Sequence, residues 1–109
     1  MKQLINSVLA VSVFIVSANV LAATDIAKGQ EKSAACAACH GVNGNSSNPM
    51  FPIIAGQHAD YITHALRAYK TAKRKNPMMQ ATAGALSDED IINLAAYFSA
   101  QAGLKTLKR

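Results

Sequence analysis

Cys36-Ala37-Ala38-Cys39-His40 is the stretch that constrains the rest of the chain. Two cysteines with two residues between them, followed at once by histidine, have the spacing of a c-type haem attachment site. On one helical turn, two thiols reach the two vinyl groups of one porphyrin, and the adjacent His40 falls under the iron as proximal ligand. Cys36 and Cys39 are the 2 cysteines of the chain, so no third thiol needs a role. Other uses of the pair stay open at this point. A thioredoxin-like dithiol calls for a strand before it, whereas the residues before Cys36 look helical. Zinc could take Cys36, Cys39, His58 and His64 as an N/S set, although His58 lies further from Cys39 than the usual finger spacing. A plain disulfide has no use for His40.

The first residues bear on compartment. Lys2 precedes a mostly apolar run from Leu4 to Val20, and Val20-Leu21-Ala22 places small residues where a signal peptidase cuts. Residues 1–22 are therefore expected to be a signal peptide, cleaved after Ala22 or Ala23, and residues 23–109 the working domain. An uncleaved anchor is the competing reading. The run is short for a bilayer core of about 30 Å and is interrupted by Asn6, Ser7, Ser12, Ser17 and Asn19. The expected location is the periplasm, with no transmembrane anchor after processing. A bare cysteine pair in that oxidising compartment would close into a disulfide; haem attachment uses His40 as well.

A domain of this size buries only a modest share of its surface. With 6% aromatic residues and no Trp, the chain lacks apolar bulk that a haem would supply. The formal charge of +5 suits acidic partners. It does not indicate nucleic acid, since no binding motif or basic-aromatic interleaving accompanies it.

Hydrophobic spacing predicts helices and no strands. Thr24 can cap a first helix running from about Asp25 to the cysteines, with Ile26, Gly29, Gln30 and Ser33 on one face. Gly29 inside a helix costs about 1 kcal/mol relative to Ala, which close approach of another helix would explain. Residues 41–52 form a turn-rich loop, with Met50 and Phe51 expected to face inward. A second helix is expected from about His58 to Lys73, with Ile62, Ala65, Leu66 and Tyr69 as its stripe and His64 off it. Asn76-Pro77 breaks that helix, leaving Met78 and Met79 in a loop. Methionine is the common sixth ligand of electron-carrying c-type haems. Ser87-Asp88-Glu89-Asp90 has capping-box spacing and starts a last helix with Ile91, Leu94, Ala95 and Phe98 inward.

Taken in order, Gly29, Cys36-x-x-Cys39-His40, Phe51-Pro52-x-x-Ala55-Gly56-Gln57, Asn76-Pro77-Met78-Met79, Leu86-Ser87-Asp88-Glu89-Asp90 and Leu94-Ala95-Ala96-Tyr97-Phe98 resemble a class I cytochrome c of the small bacterial cytochrome c4 / c-553 group. The resemblance covers nearly all of residues 23–109. It implies an all-α fold of about three main helices with long loops around one covalent haem c. It further implies thioethers at Cys36 and Cys39, His40 as proximal ligand, the Pro52 carbonyl bonded to the far ring nitrogen of His40, and Gly29 crossing the last helix near Tyr97 or Phe98. Met79 is the implied distal ligand, with Met78 the runner-up; Met50 and His58 follow. Cytochrome c4 has two such domains in tandem and this chain has one. The implied function is one-electron shuttling between redox partners with acidic docking surfaces, not enzymatic turnover. Membership of a larger dehydrogenase or oxidase complex is the alternative, and a gas-binding or peroxidatic haem a more remote one.

Overall fold

The computed structural model describes residues 11–15 and 24–107. The expected signal-peptide cleavage site at Ala22 or Ala23 lies outside these residues. The described chain is all-helical: α1 (Ile26–Lys32), α2 (Ala34–His40), a short 3-10 turn (Val42–Gly44), α3 (Ala59–Lys70), α4 (Pro77–Gly84) and α5 (Asp88–Ser99). No helix among the described residues is long and apolar enough to cross a membrane.

The last helix is the spine. Ser87 Oγ accepts from Asp90 N–H and Asp90 Oδ2 accepts from Ser87 N–H, each at 3.0 Å, which satisfies two donors that a helix start leaves orphaned. Ile91, Leu94, Ala95 and Phe98 are buried, as their spacing predicts. They form one core with Ile62 and Leu66 of α3 and Ala83 of α4.

α1 crosses the other side of α5 at Gly29. A Cβ there would stand 2.1 Å from the backbone oxygen of Asn93 and 2.9 Å from Tyr97 Cβ, so only glycine fits. Buried Asn93 caps the contact by accepting from Asp25 N–H at 2.9 Å. Tyr97 reaches past the crossing to donate to Asn43 Oδ1 at 2.8 Å.

Four local expectations need correcting. Asp25, not Thr24, caps α1, accepting from Lys28 N–H at 3.1 Å. The helix expected to run unbroken to the cysteines divides at Ser33, whose hydroxyl donates to Gln30 O at 2.6 Å and competes with the helical ladder. The second helix stops at Lys70, and Ala72 turns the chain with φ 58°. Met78 and Met79 lie in α4, not in a loop: Asn76 Oδ1 accepts from Met79 N–H at 3.1 Å, and Pro77 occupies the first helical position, where its missing N–H does no harm. Among the described residues there are therefore five α-helices, against the about three main helices expected, in the all-α class anticipated.

The return segment of the long loop is held from both sides. Ile54 and Ala55 N–H groups donate to Gly44 O, and Gly56 N–H donates to Phe98 O at 2.9 Å. Gly44 has φ 80°, and a Cβ on it would strike Ile54, Ala55 and Phe98 at under 3.0 Å. This fixes residues 52–57 beside α2.

Candidate functional site

α2, the 50–57 segment, α3 and α4 wall a cavity of about 490 Å³ whose floor is Leu94 and Phe98 of α5. α2 presents Cys36, Cys39 and His40 to it from successive turns. Both cysteines are free thiols. Burial pushes the Cys36 thiol above its ordinary pKa, partly offset by a backbone hydrogen bond. That is opposite to the depressed value an exchanging dithiol needs.

His40 is buried in the wall, with its ring edge-on to Phe51. Its Nδ1 lies 2.8 Å from Pro52 O. A carbonyl can only accept, so Nδ1 carries a hydrogen, which leaves Nε2 as the ring nitrogen open to a metal. A neutral imidazole with one nitrogen bonded to backbone and the other free is the form that binds a metal.

Across the cavity, α4 contributes both methionines. Met79 is half-buried and packs on the core, whereas Met78 is 57% exposed. Met50, expected inward, is 80% exposed at the cavity rim; Phe51 beside it is half-buried. His58 also misses the set: it is the N-cap position of α3, without a capping bond. His64 is exposed on α3. Among the described residues no group of three or more His, Cys, Asp or Glu side chains could hold a metal ion, which removes the four-ligand zinc arrangement.

The cavity's donor set is therefore two thiols, one imidazole and the thioethers of Met78 and Met79 in mostly apolar walls. Ile54, Ile62, Leu66 and Phe98 supply the flat apolar contact. This chemistry fits a porphyrin held by its edge and ligated on both faces. Sequence reasoning placed Tyr69 on the inward stripe of α3 but missed the cavity's other polar members: Tyr61, Arg74, Asn76 and Gln57. The i, i+4, i+8 spacing of Tyr61, Ala65 and Tyr69 was the available signal.

Comparison with known proteins agrees. The cytochrome c family model matches residues 26–101. Cytochrome c-554(548) of Halomonas halodenitrificans is 42% identical over 72% of this chain and 99% of its own length. Cytochrome c4 of Pseudomonas aeruginosa is 45% identical over 73% of this chain but only 40% of its own length. Among solved structures, thiosulfate dehydrogenase from Marichromatium purpuratum superposes with a TM-score of 0.69 at 30% identity, covering 78% of this chain and 21% of that one. The matched span begins in α1 and ends beyond α5, so it takes in every helix that builds the cavity. The chain thus belongs to the cytochrome c family and is an electron-transfer protein that carries covalent haem c.

Proposed function

We propose that the chain is a periplasmic one-electron shuttle, exported by residues 1–22 and active as residues 23–109. Cys36 and Cys39 anchor the porphyrin edge through thioethers. His40 Nε2 is the proximal ligand, with Pro52 fixing its ring and tautomer, and Met79 is the distal ligand in preference to Met78. The bound haem supplies the Fe(II)/Fe(III) couple. The chain orients the ligands, excludes water with the Leu94–Phe98 floor, and leaves no coordination position for substrate. The observation that carries this reading is His40, buried beside both thiols with Nδ1 held 2.8 Å from Pro52 O.

The partner is proposed to be acidic, meeting the exposed Lys73, Arg74 and Lys75; Lys70 of the same cluster also donates to Leu86 O. A second reading, membership of a larger enzyme, draws on the thiosulfate dehydrogenase likeness. Gel filtration of native extract separates the two, since a free carrier elutes as a small protein.

Acid-acetone extraction tests the attachment. Thioethers survive it and coordinate bonds do not, so haem is expected to stay with the protein and to give a two-thioether pyridine spectrum. Haem in the organic phase would overturn attachment at Cys36 and Cys39.

A further inference from the structure

One charged side chain enters the cavity wall without a charge to meet. Arg74 lines the cavity. Its guanidinium lies over the Tyr69 ring, 4.9 Å from the centroid, and its Nη1 donates to Tyr61 Oη at 3.4 Å. The Tyr61 bond is the main reason its pKa is pushed further up, so the charge is permanent. The ion pairs among the described residues engage Lys28, Lys32 and Arg67; none engages Arg74.

The backbone is bent to put it there. After α3 ends, Ala72 takes φ 58°, a left-handed conformation that disfavours a residue with a Cβ. Arg74 N–H then closes on Ala68 O at 3.0 Å. The side chain runs back along α3, on the face where Tyr61 and Tyr69 flank the small Ala65. Stacking on Tyr69 fixes the plane of the guanidinium, and Tyr61 occupies one donor. The remaining donors keep the fork that binds a carboxylate through two bonds.

The walls around it are mostly apolar, and the charged periphery of a porphyrin is its propionates. We propose that Arg74, oriented by Tyr69 and Tyr61, clamps a propionate of the bound haem and is thereby a positioning residue that sets the reduction potential. This rests on the haem reading above. The sign follows from charge: a propionate paired with Arg74 contributes little net field at the iron. Unpaired, it favours the ferric state, which carries one more positive charge.

Spectroelectrochemistry of the purified haem-bound protein tests the assignment. Arg74→Gln should lower the reduced-to-oxidised ratio at a fixed electrode potential about tenfold, which is about 59 mV for one electron. Tyr69→Leu should move it the same way by less, because the guanidinium loses its platform. Arg74→Lys should recover only part, because the charge returns without the fork. Lys73→Gln removes the same charge from an exposed side chain outside the cavity lining and should change the ratio less than twofold. Resonance Raman should show the propionate bending mode shifted in Arg74→Gln and not in Lys73→Gln. Equal shifts for Arg74→Gln and Lys73→Gln would overturn the clamp in favour of a general surface field. So would an unmoved potential in Arg74→Gln with slower transfer to an acidic partner, which would leave Arg74 a docking residue only. Either failure with haem still covalently attached leaves the haem reading standing; only loss of attachment in the unsubstituted protein would sink both.

Discussion

Gly29→Ala should unfold this protein at a markedly lower temperature, and the size of the effect follows from the helix crossing. The new methyl would sit 2.1 Å from Asn93 O, 2.7 Å from Asn93 C and 2.9 Å from Tyr97 Cβ. None of these atoms can rotate away, since two are backbone and the third is fixed by it. α1 and α5 must separate by more than an ångström. Overpacking of this kind costs about 1–3 kcal/mol. Separation also breaks the Asp25–Asn93 bond and strands a buried amide, for about 1 kcal/mol more. Alanine's helix preference returns about 1 kcal/mol. The net loss of about 1–3 kcal/mol corresponds to a Tm drop of roughly 4–24 °C at about 4–8 °C per kcal/mol for a domain of this size. Far-UV circular dichroism melts of the ferric haem-bound protein measure it. Gly84→Ala is the control: nothing lies within 4 Å of a Cβ there, and α4 should gain or stay level. A Tm for Gly29→Ala equal to or above the parent would refute so close a crossing.

Met79→Ala should abolish the weak far-red charge-transfer band of the ferric protein and admit cyanide or carbon monoxide; Met78→Ala should keep the band and, being exposed, cost about 0.5 kcal/mol or less. The reverse pattern would move the ligand to Met78, persistence in both would point to Met50, and absence of the band from the unsubstituted protein would point to a non-methionine ligand such as His58. Ser87→Ala should destabilise by about 0.5–2 kcal/mol in denaturant titrations through loss of the α5 cap. The Asp90 carboxyl is held below the usual range chiefly by the Ser87 N–H, and that of Asp88 by Arg67. Both folded values are depressed, so the stability they give is present above the unfolded carboxylate pKa of about 3.9 and is lost as pH falls through the folded values. Asp90→Asn should flatten the acid limb of a Tm-versus-pH curve, and an unchanged limb would remove Asp90 from it. Electron transfer to an acidic partner should slow as salt rises, because exposed attraction is screened beyond about 8 Å at physiological ionic strength; a salt-independent rate would make the basic cluster no more than a solvated surface after α3.

The sequence showed the site's chemistry better than its walls. Cys36-x-x-Cys39-His40 carries its own geometry, because residue spacing on one helical turn determines which side chains converge. The α5 stripe was equally plain, since burial repeats with the helical period. α4 was hidden for a physical reason. Its residues 77–84 are small or flexible, only Ala83 is buried, and no apolar stripe develops. Asn76-Pro77 reads as a stop for the preceding helix, although the same pair is a start signal when a helix follows. The turn at Ala72 could not be read at all, because a left-handed alanine has no sequence signature. With it went the position of Arg74, which depends on that turn. Met50 shows the converse: an apolar residue in a loop is no guide to burial, since the loop's path is fixed by Gly44 and the 54–57 return rather than by side-chain polarity.

The crossing at Gly29 also governs the order in which the molecule is assembled. Asp25 and Asn93 meet from positions 68 residues apart, and the intervening chain holds every wall of the cavity. Such a distant closure is slow, because the loop entropy is lost before the contact is made. α1 leads directly into α2, so the cysteines lie on the segment that stays unpinned until α5 has been made and docked. A haem can therefore be welded to a loose, early stretch of chain, and the first and last helices then shut behind it like a latch.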